Sequence, residues 1–159
     1  MSVRAAVAVA AALLALAASH AAPAKGPHAT VANGEVDYHL VPMGAETTLS
    51  ERAAASGRLL RHESVPGVWA FAVANGRARG LSRDGAVLVL VQFPFPALAQ
   101  RTESRFAVID TRRLRLVRVL RVPGRLAFGG LSADGRRLTL IERGRSGTHN
   151  RVHVLGFAR

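Results

Sequence analysis

The sequence predicts an all-β protein assembled from short antiparallel strands in a repeating unit. Two observations on repetition and one on pattern predict it. "LSRDGAVLVL", Leu81 to Leu90, returns as "LSADGRRLTL", Leu131 to Leu140. A longer stretch, Thr48 to Phe71, lies over Arg105 to Phe128 without a gap at an offset of 57 residues. Within both copies the apolar residues form short Leu- or Val-rich runs bounded by Gly, Pro, Ser and Asp, the pattern of strands between turns.

The chain opens differently. Arg4 precedes an uncharged apolar run of fourteen residues, Ala5 to Ala18, and Ser19-His20-Ala21 offers small residues where a signal peptidase reads. This is the three-part build of a secretory signal peptide, and it predicts an N-terminal signal helix over 1–21, cleaved near Ala21. A membrane span needs about 20 apolar residues, so the run is short for one. The expected location is extracytoplasmic, secreted or associated with the cell envelope, with no membrane span after signal removal. Residues 22–46 read as a flexible tether with a possible short strand over 36–41, "VDYHLV".

Then the repeats follow: a first over 47–103, a second over 104–147, and the start of a third over 148–159. Val65-Pro66-Gly67 matches Val122-Pro123-Gly124. After Phe71 the first copy carries seven extra residues with an Asn75-Gly76 turn signal, and the offset drops to 50. Thr102 to Ile109 matches Thr148 to Leu155 at an offset of 46. Each unit reads as four strands, in the second copy Phe106 to Ile109, Leu114 to Val122, Leu126 to Gly129 and Leu138 to Ile141. Pro123-Gly124 is expected to turn the second strand into the third. Leu88 and Leu90, like Leu138 and Leu140, share one face, because side chains alternate along a strand. Val87 and Arg137 take the other face, where a charge is expected to be tolerated. The S-x-D-G corner has a mechanical reason: Ser and Asp side chains bind nearby backbone groups, and Gly accepts the positive φ of a tight hairpin.

Four short strands recurring at 45–55 residues is the period of a β-propeller blade. "LSxDGxxLxL", the following "R[FV]xV[IL]" and Asp110-Thr111 resemble the WD40-like or TolB-like propeller repeats of secreted bacterial proteins, and more narrowly secreted propeller-like proteins of high-GC actinobacteria. The resemblance covers about 47–155. It implies about two and a fraction four-stranded antiparallel propeller blades, a partial β-propeller. Propellers close with about 4–8 blades, so the chain is expected to be a truncated piece, to self-associate through open sheet edges, or to be completed by a partner. Such repeats specify architecture better than activity.

Composition narrows the chemistry. There is no cysteine, which excludes disulfides and thiol catalysis. Charge is uneven: residues 101–159 hold fourteen basic and four acidic side chains, residues 22–100 seven and six. A basic half suits an anionic polymer, and Arg-rich, Lys-poor usage is equally what GC-rich codons produce. Nucleic acid is not expected, because "RRLRLVRVLRV" lacks interleaved aromatics and the chain reads as exported. Arg113, Arg115 and Arg121 share strand parity there and define a candidate cationic stripe. Arg118 breaks it, unless a bulge intervenes.

No catalytic, cofactor or metal residue is predicted. The serines sit in turns with no G-x-S-x-G elbow. His149 and His153 would lie about 13 Å apart along a strand, too far to share an ion. The best site candidates are two loops in equivalent repeat positions: "QFPFPALAQR" with Phe93, Phe95 and Arg101, and "ERGRSGTHNR" with Arg143, Arg145 and His149. The expected function is an exported, non-catalytic binding module that presents these loops to a protein or an anionic envelope polymer. The alternative is a fragment of a larger propeller enzyme, lactonase- or quinoprotein-like, lacking its active-site blades.

Overall fold

The computed structural model describes residues 31–74, 77–93, 102–143 and 150–157, and among them the chain is all-β. Three antiparallel sheets follow one another along the chain. The first contains β1 (Val31–Ala32), β2 (Val36–Met43), β3 (Glu46–Ala53) and β4 (Leu59–Pro66), paired in that order. The second contains β5 (Trp69–Ala74), β6 (Arg77–Arg79), β7 (Val87–Gln92), β8 (Glu103–Asp110) and β9 (Arg115–Pro123), in the order β6-β5-β7-β8-β9. The third contains β10 (Leu126–Leu131), β11 (Arg137–Arg143) and β12 (Asn150–Gly156). Its described strands form no closed barrel.

The sheets are out of phase with the repeat read from sequence. Pro66-Gly67 and Pro123-Gly124 do not turn one strand against the next within a sheet. They carry the chain from the last strand of one sheet to the first strand of the next. Gly67 and Gly124 have φ of 104° and 93°, a region that costs glycine little. A buried hydroxyl pins each corner. Thr47 Oγ1 donates to Gly67 O at 2.9 Å and accepts from Trp69 N at 2.9 Å. Ser104 Oγ donates to Gly124 O at 2.9 Å and accepts from Leu126 N at 2.8 Å. Thr47 and Ser104 are 57 residues apart, so this too is a repeated device.

The S-x-D-G corners are nearly superimposable in their bonding. Ser82 Oγ donates to Asp84 Oδ1 at 2.6 Å, and Asp84 Oδ1 accepts from Ala86 N at 3.1 Å. Ser132 Oγ donates to Asp134 Oδ1 at 2.6 Å, and Asp134 Oδ1 accepts from Arg136 N at 3.1 Å. Gly85 and Gly135 have φ of 67° and 66°. A Cβ added to Gly135 would stand 2.9 Å from Val87, so the third sheet's corner rests directly on the second sheet.

Packing makes a stack of three layers. Tyr38, Leu49 and Val65 of the first sheet meet Trp69, Leu88 and Ile109 of the second in one core. Val89, Phe106 and Val108, on the second sheet's other side, meet Phe128, Leu138 and Leu140 of the third. The middle sheet is therefore buried on both faces, which is why β7 reads as an unbroken apolar run. Val87, expected on a charge-tolerant face, is 3% exposed beneath the third sheet. Only its equivalent Arg137, one layer out, faces solvent. Burying a side chain of this size stabilises by about 1.5–3 kcal/mol.

Other expectations shift. The short strand expected over 36–41 forms and runs on to Met43 as β2, which pairs with β3 from Val36↔Ala53 to Met43↔Glu46 and so joins the first sheet. The extra residues of the first copy run from the end of β5 into β6, with Ala74 paired with Arg77; the expected Asn75-Gly76 turn lies outside the described residues. The signal helix over 1–21 lies outside the described residues, and among those residues no helix is long and apolar enough to cross a membrane.

Candidate functional site

β9 begins as "RLVRVLRVP", and its arginines do not form one stripe. The register of β8 against β9 shifts between Val108, opposite Arg118, and Ile109, opposite Leu116. Val117 is the extra residue of this bulge, and a bulge reverses the parity of whatever follows it. Arg115 pairs with Asp110 and Arg118 with Val108, so both turn toward the third-sheet side. Arg121 pairs with Arg105 and takes the opposite face.

The turn before β9 is built by Asp110. Its Oδ1 accepts from the backbone N–H of Arg112 at 3.0 Å and of Arg113 at 3.3 Å, and its Oδ2 accepts from Arg113 Nη1 at 2.9 Å. Partial burial acts to raise the Asp110 pKa, but these hydrogen bonds and the Arg113 charge outweigh it and hold the carboxyl below the usual range. Leu114, at φ 50°, swings inward and is 2% exposed in the core between the first two sheets. The Thr111 hydroxyl donates to Gly85 O, and Arg61 of β4 reaches across to the carbonyls of Thr111 and Arg112 while pairing with Glu51. The turn thus clamps the first two layers together.

Between the second and third layers, the corresponding end is open. A groove of about 350 Å³ lies there, floored by Val87 and Val108, flanked by Phe157, and walled by Arg112, Arg113 and Arg115. Arg113 is neutralised by Asp110. Arg112 and Arg115 are exposed and form no ion pair among the described residues. An apolar floor under guanidinium groups suits an anion attached to an apolar body, since Arg presents a planar fork of donors to carboxylate or phosphate.

The strand ends that flank the predicted loops lie at the opposite end. β7 ends at Gln92, paired with Trp69 just past Gly67; β11 reaches Glu142, paired with Leu126 just past Gly124. Phe93 follows β7, is 45% exposed, and its N–H donates to Val68 O at 2.8 Å. Arg143 closes β11 opposite Asn150. Phe95, Arg101, Arg145 and His149 lie outside the described residues. His153 stands with Nε2 2.9 Å from Glu142 Oε2, and Arg151 lies 3.9 Å from the same oxygen. Among the described residues no group of three His, Asp or Glu converges as metal ligands do.

The groove was half-visible in the sequence. Arg113 and Arg115 stood out as cations, but their grouping with Arg112 rather than Arg121 needed the bulge, which strand alternation alone does not place. No known protein family, curated protein or solved structure matches the chain.

Proposed function

We propose that this chain is an exported, non-catalytic binding module whose sheets stack as β-propeller blades do, and whose ligand is a protein or an anionic envelope polymer. The observation that carries it is the groove: two arginines without acidic partners among the described residues stand above a valine floor, on the half of the chain that carries the cationic excess. The repeat supports the blade reading, since each layer is an antiparallel sheet joined to the next by a Pro-Gly corner. The leader-like run Ala5 to Ala18 supports export. The loops expected after Phe93 and Arg143 offer a second contact area for the same partner in this reading.

The test is binding to a soluble polyanion such as a polyol-phosphate polymer, titrated with salt. Binding is expected to weaken steeply with ionic strength, because exposed charges are screened beyond about 8 Å at physiological salt. Arg112→Ala with Arg115→Ala should weaken it about tenfold or more, and Arg143→Ala with Arg145→Ala should weaken it separately if the loops also take part. Salt-insensitive binding, or affinity unchanged in both double variants, would refute the reading.

A further inference from the structure

β12 is built like a strand that lies inside a sheet. At an offset of 46 it overlies β8, and β8 overlies β3 at an offset of 57. β3 lies between β2 and β4, and β8 between β7 and β9. β12 pairs with β11 from Arg137↔Gly156 to Arg143↔Asn150 without a register shift. Among the described residues no strand pairs with its other edge.

The hydrogen bonds show what that edge offers. Opposed residues of an antiparallel pair alternate between those that exchange backbone hydrogen bonds and those that do not. The Phe157 N–H donates to Arg136 O at 2.9 Å, so Leu155, His153 and Arg151 also turn their backbone groups toward β11. Asn150, Val152 and Val154 turn theirs to the free edge. Their counterparts in the other sheets are engaged on that side. Ser104, Phe106 and Val108 lie opposite Val122, Leu120 and Arg118 of β9, and Thr47, Leu49 and Glu51 lie opposite Val65, Glu63 and Arg61 of β4. Those ladders close in the same phase, with the Gly124 N–H on Thr102 O at 2.7 Å and the Gly67 N–H on Ala45 O at 2.8 Å.

The repeat also describes the missing neighbour. β4 and β9 carry charges and run into Val-Pro-Gly, and charge with proline guards a sheet edge against further pairing. β12 has no proline and a single arginine. Asn150 stands where Thr47 and Ser104 stand. Its amide offers a donor and an acceptor, the two functions with which those hydroxyls pin the corner after the outer strand.

We propose that the free edge of β12 is the docking site for an extended segment of a partner polypeptide, which adds antiparallel as the outer strand of the third sheet. Main-chain bonds to Asn150, Val152 and Val154 supply the affinity of such strand addition, and the side chains opposite them supply selection. In neither preceding sheet does a strand of the β12 kind pair with another of its kind. Both times its neighbour is an outer strand that runs into Val-Pro-Gly, so the fitting segment is of that class rather than the β12 of a second copy.

A synthetic peptide with the β9 sequence, RLVRVLRVPG, is the probe, titrated into the full chain expressed with its own N-terminus. One peptide is expected to bind per chain, with a gain in strand signal by circular dichroism, while a scrambled peptide does not bind. Binding should tighten as salt rises, because peptide and chain are both basic and salt screens their repulsion. Polyanion binding has the opposite salt dependence, so the two readings fail independently. Val152→Pro removes an N–H that faces away from β11, a position where an edge strand tolerates proline. It should leave Trp69 emission unchanged and weaken the peptide about tenfold or more. If Val152→Pro fails to fold, Val154→Pro carries the same test. No binding at the highest soluble concentration, equal binding of the scrambled peptide, or affinity indifferent to the proline variant would overturn the proposal. So would a dimer of the chain that Val152→Pro dissolves, since a second copy would then hold the edge.

Discussion

Ser104→Ala is expected to loosen the corner between the second and third sheets at a cost set by two hydrogen bonds. Ser104 is 7% exposed. Its hydroxyl accepts from the buried N–H of Leu126 at 2.8 Å and donates to the partly buried carbonyl of Gly124 at 2.9 Å. Removing the oxygen strands both groups. A buried unsatisfied donor costs about 1–3 kcal/mol, and the carbonyl less because water reaches it, giving about 2–3 kcal/mol in all. Domains of this size have only about 5–15 kcal/mol to lose. With a urea slope of about 1–3 kcal/mol per molar, the midpoint should fall by roughly 1–2 M. Trp69, the only tryptophan and 4% exposed with Nε1 donating to Pro66 O at 2.7 Å, reports the unfolding by fluorescence. Circular dichroism should give the same midpoint if the layers unfold together. Ser104→Thr should stay within about 1 kcal/mol of the parent, because Thr47 makes the same pair of bonds at the preceding corner. An Ala variant within about 0.5 kcal/mol of the parent would show that water replaces the hydroxyl, and that these bridges do not hold the layers.

Further expectations follow from the corners and the titrating groups. Gly135→Ala should cost roughly 2–4 kcal/mol, combining the left-handed backbone with overpacking, because its Cβ would meet Val87 at 2.9 Å. Gly85→Ala, at the same φ but 3.2 Å from the exposed Asn33 amide, should cost about 1–2 kcal/mol; equal losses in denaturant titrations would deny the close approach. Tyr38 is the sole tyrosine, and burial, aided by Glu51, raises its pKa. Its contribution is whole below the unfolded value of about 10 and lost as pH climbs toward the folded one, so tyrosinate absorbance should appear only above pH 10 and accompany unfolding. For Asp110 the folded pKa is lowered, so its contribution is whole above about pH 4 and disappears as pH falls through the folded value. Asp110→Asn should flatten the acid limb of the stability profile, and an unchanged limb would remove Asp110 as its source.

Much of the candidate site escaped the sequence for one reason. The arginines of "RRLRLVRVLRV" can be counted, but their faces depend on where a single bulge residue is inserted, and Val117 carries no mark that distinguishes it from Val119. Once the bulge is placed against Ile109, Arg115 and Arg118 join one side and Arg121 the other. The turn residues were plainer. Asp84 and Asp134 were legible as corner hardware, because their partners lie within a few residues and need no tertiary context.

The same distinction runs through the whole chain. Local chemistry, written in the sequence, determined an all-β chain, its strand positions, its repeated Ser-x-Asp-Gly hairpins and the seven-residue extension of one of them. Which strands share a sheet was decided only in three dimensions. Pro123-Gly124 satisfies its backbone equally well as a hairpin within a sheet or as a corner between sheets. The choice falls to the corner because that phase buries Phe106 and Val108 under Leu138 and Leu140, and because a hydroxyl twenty residues back in the chain, on Ser104, is then in place to receive the Leu126 amide. Burial of two opposite faces of one strand is a property of layers, and no window along the chain contains it.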